Sequence, residues 1–506
     1  MALSVHFRSR DFSSPILPNL HADPVRLSWS AFGGPDQATV RLTGQAETLL
    51  SMTRLLRCPV TVNDPAGEAV WWGFVDRVTV YIDQVEIRVS METLFNRVGV
   101  KYSFVSPDGR LAELSHTLTA DNAASQAEYG IKEKVLHRAG IDDDFAASLR
   151  DTFLSQHSWP SSRLSQREGA AGDQVLLHCS GWFKTLAWVP YVYEHGFAAN
   201  YGPGPGVFSF GDTASAQMVC QGFYHQGGGF LKHAYFMLRN HGASRNLTAR
   251  LYSHSGYSPD TLLSTSSPVA AATLSANAHS WVRFTFPTPY ALPTANTFFL
   301  IALYPSGVNP SEYFSIRSDE NESFPNAAAR VYNGTSWVFL PSVTNPGGRP
   351  DLYFRIITTR DTGDQLAAIA AAGNQFFTKV AALTTGVYTA PYTPMGEDCL
   401  AEAEKLMHLG TSNQRLVLAK VTRERQLSFY EQPEQEIPAV YLNRQGCFFS
   451  RHGVALKPYF PPVGQFAQLS GSDRTSRPWD MHRVPLCFIQ RAVYFPATGA
   501  LQIKTA

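Results

Sequence analysis

The densest group of acids in this chain is Asp319-Glu320-Asn321-Glu322. Two carboxylates converging on one point could serve as the acid and nucleophile of a glycosidase, or as calcium ligands. Adjacent residues on a loop point apart, however, and the spacing of an EF-hand is absent, so the stretch reads as a solvated loop. His225, His233, His241 and His254 with Cys220 could in principle ligate zinc, but their spacing follows no zinc pattern and they read as scattered surface or core residues. The chain has no HExxH, GxSxG or GxxxxGKS/T motif. Gly202-Pro203-Gly204-Pro205-Gly206 cannot cradle a phosphate, because its prolines lack the N–H donors a nest requires, and it reads as a linker. No enzymatic activity, metal or cofactor is expected.

Aromatic residues beside turns are the stronger lead. Tyr257 lies in Ser255-Gly256-Tyr257-Ser258-Pro259, while Tyr313 and Trp337 also adjoin turn residues. The C–H faces of a sugar ring stack on such side chains, so these three are the candidate carbohydrate-binding residues. Trp337, at a hairpin strand start, fits core packing better than sugar stacking; Tyr257 fits either. Trp71-Trp72-Gly73-Phe74-Val75 puts large apolar groups on both faces of a strand. Such a strand is covered on both sides, within a core or under a neighbouring subunit, which makes Trp71, Trp72 and Phe74 candidate interface residues.

The elements that would position these residues fall into a host and an insert. From about 207 to 358, alternating runs such as Leu247-Thr248-Ala249-Arg250-Leu251-Tyr252, Trp281-Val282-Arg283-Phe284-Thr285-Phe286 and Phe298-Phe299-Leu300-Ile301-Ala302-Leu303 are separated by Gly, Pro, Asn and Ser. That is the pattern of a β-sandwich or jelly roll. Almost all helical signal lies outside it. A sandwich whose ends lie close together can be inserted in another fold as a long loop, since closure entropy grows slowly with length. The expected organisation is an N-terminal barrel-like domain over 1–110, an α+β region over 111–206, the inserted sandwich over 207–358, and an α+β and second barrel-like region over 359–506. The fold class is therefore mainly β with α+β parts, the barrel-like host domains being built from two sequence halves around an inserted β-sandwich.

Within the host, Ala46 to Arg57 reads as a short helix and Pro59 to Val78 as a hairpin; Gln84 to Ser90 alternates as a strand. Asp121 to Ala139 is expected to be helical, as are Asp142 to Gln156, a helix opening at Thr362, and Asp398 to Leu409 before Gly410. Gln174 to Phe183 reads as a strand that Leu186-Ala187-Trp188 continues, and Arg415–Val421 with Gln426–Glu431 as a hairpin.

Composition limits the partners. The 506 residues are 44% hydrophobic and 16% charged, ordinary for a folded chain of several domains. Lys plus Arg number 42 against 41 Asp plus Glu, a net charge of +1 that gives no general attraction to nucleic acid or anionic membrane. The N-terminal stretch lacks the apolar core of a signal peptide, and no apolar run approaches the ~20 residues of a membrane span. Synthesis in a cytoplasm is expected, with the six scattered cysteines reduced and buried.

The host residues also carry a family likeness. Leu55-Leu56-Arg57-Cys58-Pro59-Val60, Trp71-Trp72-Gly73-Phe74-Val75-Asp76-Arg77-Val78, Leu94-Phe95-Asn96-Arg97-Val98 and Gly181-Trp182-Phe183-Lys184-Thr185-Leu186 resemble hub proteins of bacteriophage tail tips and baseplates. Gly386-Val387-Tyr388-Thr389, Gly410-Thr411-Ser412-Asn413 and Arg415 to Val421 with Leu427 to Glu431 look like the same family. The resemblance implies a virion protein of the tail tip: a homotrimer with two barrel-like domains per chain, matching a six-fold tail tube above. Its implied partners are the tail tube or distal tail protein, the tape measure protein and tip fibre proteins. The insert is similar to carbohydrate-binding-like jelly-roll modules of adhesion proteins, through Leu247 to Tyr252, Ser258 to Leu263, Trp281 to Phe284 and Asp351 to Arg355, which implies a host-surface glycan as ligand. A six-fold distal tail ring protein, a free carbohydrate-binding adhesin and a glycoside hydrolase using Asp319, Glu320 or Glu322 are the alternatives.

Overall fold

The computed structural model describes residues 3–103, 115–166, 172–191, 197–200, 206–225, 229–293, 296–319, 329–341, 348–381, 383, 386–389, 397–434, 440–442, 447–450, 452, 454–469 and 487–505. The protein is mainly β, 51% strand and 16% helix, with β-sandwich parts. It divides into two compact units: Met1–Val192 with Gly363–Gly386 and Pro394–Ala506, and Tyr193–Thr362 with Val387–Thr393. Among the described residues no helix is long and apolar enough to cross a membrane.

The first unit is knitted from both ends of the chain. Strand Ser4–Arg8 pairs with Pro59–Asn63, which pairs with Ala69–Ile82. Gln174–Ser180 lies between Ala69–Ile82 and Phe32–Thr43, and His21–Ser30 joins Phe32–Thr43 to Cys487–Phe495. Val417–Val421 runs parallel to Phe32–Thr43, and Trp72 Nε1 donates to the Val421 carbonyl at 3.0 Å. The core correspondingly mixes Trp71, Phe74, Trp182 and Leu186 with Leu366, Ile369, Phe376, Met407 and Leu427. Backbones close tightly here: a Cβ on Gly181 would sit 1.7 Å from the Pro35 carbonyl oxygen.

Two expectations for this unit are corrected. The expected helix Asp121 to Ala139 is a helix only over Ala123–Tyr129, capped by the Asn122 side chain; Glu133–Ala139 is a strand parallel to Arg97–Ser103. Buried Asn96 fixes the break, donating to the Gly130 carbonyl at 2.8 Å and accepting from Lys132 N at 2.8 Å. Likewise Trp182–Trp188 is a 3₁₀ helix rather than a strand, because that winding buries Trp182, Phe183, Leu186 and Trp188 together. The cysteines also divide: Cys58, Cys179, Cys220 and Cys399 are buried, but Cys447 is exposed and Cys487 half-buried.

The second unit is an antiparallel sandwich. One sheet runs, in order, Ser258–Thr265, Leu247–Ser255, Thr297–Pro305, Met218–His225, Arg330–Tyr332, Trp337–Phe339. The other contains Phe197–Asn200, Phe354–Asp361, Phe230–His241, Tyr313–Ser318 and Gly206–Phe210, with Ser280–Ala291 on Phe230–His241 and Tyr388–Thr389 on Phe354–Asp361. Phe210, Phe223, Phe236, Phe284, Phe299, Phe314 and Phe354 alternate inward between the sheets; each buried ring contributes about 2–3 kcal/mol. Phe197–Asn200 lies ahead of the glycine-proline stretch, of which residues 201–205 fall outside the described residues, and it already pairs with Phe354–Asp361.

Candidate functional site

The outward face of the six-stranded sheet carries a second, separate apolar cluster. Alternation along Thr297–Pro305 sends Phe299, Ile301 and Leu303 inward and leaves Phe298, Leu300 and Ala302 outside, where they pack with Cys220. Half-buried Tyr224, Tyr252 and Trp337 cover this cluster. Cross-strand register sets the rows: Tyr224 opposite Phe298, Tyr252 opposite Leu300, and Trp337 opposite Tyr332.

Tyr257 stands at the tip of the hairpin Leu247–Ser255 to Ser258–Thr265. Ser255 pairs with Ser258, so the loop is Gly256-Tyr257 alone, with φ of +54° and +65°. Two positive φ values define the tight turn that suits strand twist, but the second position is strained for a bulky side chain such as tyrosine. The strained backbone returns the Tyr257 ring over the sheet, 5.4 Å from the Phe298 ring and 5.8 Å from His254, while the residue remains 51% exposed. Burial, then the neighbouring Tyr257 hydroxyl, push the Tyr224 phenol above its usual pKa range. At the other end of the face Arg330 and Arg349 lie on the Phe339 ring, at 4.2 and 4.4 Å, and Arg250 lies 3.6 Å from the Tyr304 ring centre. This is a surface of rings and guanidinium planes, able to stack on flat ligand faces.

The sequence-derived candidates therefore separate. Tyr257 and Trp337 share this sheet. Tyr313 is on the opposite sheet, stacked on His241 at 4.5 Å and 8°, where His241 and His279 both hydrogen-bond Ser315. Trp337 packs on the outer cluster rather than the sandwich core. Trp71 and Phe74, candidate interface residues, are 0% and 1% exposed within the core of their own unit, so the chain itself supplies their cover and they offer no surface to a second subunit; Trp72 is half-buried. His254, which the sequence offered only as a scattered histidine, joins this face, and Phe298 carries no such signal in the sequence because an unbroken apolar strand looks buried on both faces.

The acid cluster is also corrected. Asp319 is wholly buried, not on a solvated loop: it accepts from Asp351 N at 2.8 Å, and Asp351 in turn accepts from buried Gln221 at 2.9 Å. Glu320, Asn321 and Glu322 lie outside the described residues. Among the described residues no three His, Cys, Asp or Glu side chains are grouped to hold a metal.

No family model and no curated protein matches the chain. Among solved structures it is similar to the clostridial cysteine protease Cwp84 after propeptide cleavage, with 8% identity, 68% of this chain and 71% of that one covered, and a TM-score of 0.22. T=1 particles derived from infectious bursal virus give 11% identity, 67% and 73% coverage and a TM-score of 0.17. An insecticidal delta-endotoxin from Bacillus thuringiensis gives 9%, 59% and 52%, and 0.14. Likenesses of this size leave function to be argued from the chain's own residues.

Proposed function

We propose that this chain is a structural protein of a phage tail tip, a central hub joining the tail tube to distal tip proteins, and that the aromatic face of its inserted sandwich contacts host-surface glycan. The observation that carries the reading is the discontinuous first unit: its main sheet draws strands from both sides of the sandwich, so a scaffold closes around the insertion point. The resemblance of both flanking segments to tail-tip hubs supports the same reading. Tyr257, held in a strained turn above a platform of rings, is the residue on which glycan contact most depends.

Light scattering during size-exclusion chromatography tests the hub. The full chain is expected to be a trimer. A chain with residues 193–362 and 387–393 each replaced by a short glycine-serine tether should remain soluble and trimeric; the second replacement is needed because Tyr388–Thr389 is a strand of the sandwich. A monomeric full chain at micromolar concentration refutes the hub. Retention of the full chain on immobilised bacterial surface polysaccharide, lost in Tyr257→Ala, tests the glycan contact.

A further inference from the structure

The first unit contains a cleft of about 760 Å³ that neither the hub nor the glycan reading uses. Its floor is a straight cross-strand row. Arg26 pairs with Thr39, Thr39 with His178, His178 with Arg77, and Arg77 with Ser90, and all five line the cleft. Paired residues share a face, so the two arginines flank His178 from opposite sides. Three strand spacings separate their backbones, roughly 14 Å, a gap that two arginine side chains can close from either end.

Both arginines have buried donors left over. Arg26 Nε and Arg77 Nε make no hydrogen bond, and a buried donor without an acceptor is costly. The far wall is better satisfied: Lys132, 8% exposed, donates to the Met91 carbonyl at 2.5 Å, lies over the rings of Phe95 and Trp188, and faces Asp76 and Glu92. Lys184 is paired with Asp36 at 2.8 Å. Carboxylates thus gather around Lys132, Asp76 lying within electrostatic reach of Arg77 as well, while the Nε donors of Arg26 and Arg77 stay uncommitted. The cleft's volume is that of a small-molecule site.

We infer that this cleft binds a small organic anion, its carboxylate or phosphate held between Arg26 and Arg77 above His178. Guanidinium groups suit this task because their planar donor fork matches an oxyanion. His178 is neutral at pH 7, since burial first and then Arg77 and Arg88 hold its pKa down to about 4; the ring adds a hydrogen-bonding group without adding charge. The inference concerns the first unit alone and stands or falls independently of glycan binding by the sandwich.

Calorimetric titration of the full chain with inorganic phosphate, and separately with citrate, tests it, the two arms distinguishing phosphate from carboxylate ligands. At least one is expected to saturate at one site per chain, and Arg26→Gln and Arg77→Gln each to weaken it by about tenfold or more. Arg283→Gln, in the sandwich, serves as control and should change nothing. In the unaltered protein, saturation with the bound anion should also raise the His178 pKa from about 4, read by NMR, because a neighbouring negative charge favours the imidazolium. Failure of both anions to saturate overturns the inference, as does binding that survives both substitutions with His178 unmoved.

Discussion

Replacing Tyr257 separates what its backbone costs from what its ring contributes. The residue has φ +65° in a two-residue turn, a conformation that costs a side-chain-bearing residue about 1 kcal/mol more than glycine. Its ring meets Phe298 and His254 at 5.4 and 5.8 Å, contacts worth about 1 kcal/mol together when half exposed. Tyr257→Ala loses the ring and keeps the strain, so the hairpin should weaken by about 1 kcal/mol. Tyr257→Gly loses the ring and relieves the strain, so it should stay within about 0.5 kcal/mol of the parent, the greater freedom of glycine in the unfolded chain taking back part of the gain. The two variants should differ about two- to fivefold in local opening. Hydrogen–deuterium exchange of the amides from Arg250 to Thr265 in the full chain reads that ratio directly. Equal exchange in the two variants, or faster exchange in Tyr257→Gly, refutes the claim that the turn is strained for the sake of the ring.

Three further outcomes follow from buried and half-buried polar groups. Asp319→Ala removes the acceptor of Asp351 N and should lower stability to urea by about 1–3 kcal/mol, with Asp319→Asn costing less because it retains an acceptor. Arg57 is 5% exposed, lies on the rings of Phe376, Phe12 and Trp182, and donates to the Arg10 carbonyl; Arg57→Ala should cost about 2–4 kcal/mol, and Arg57→Lys should not restore it, lacking the planar fork. His178 has a folded pKa of about 4 against an ordinary 6.5, so the unfolded chain takes up its proton first. Its contribution to stability is whole above pH 6.5 and is lost as pH falls toward 4, a loss of about 1–2 kcal/mol once partial exposure of the ring is discounted. Denaturation midpoints between pH 7 and 4 should show this slope, and His178→Gln should flatten it.

Local pattern alone determined the β character of the chain, the sandwich run of alternating strands, and helix starts at Asp142 and Asp398, each of which caps its helix with its own side chain. These are features whose physical cause lies within a few residues: a period of two, an oxygen in reach of an N–H three positions on, a glycine where φ must be positive. What spans the chain was decided by tertiary structure. The helix expected through Asp121 to Ala139 breaks because Asn96 and a parallel strand compete for that backbone. Asp319 is buried against Asp351, which Gln221 bonds in turn, and Tyr313 parts from Tyr257 because strand order puts them on opposite sheets. The arginine and histidine row of the cleft exists only in register, since its residues come from five strands that a local window never brings together. Pairing energy depends on which strands meet, and that choice is made by the whole core at once.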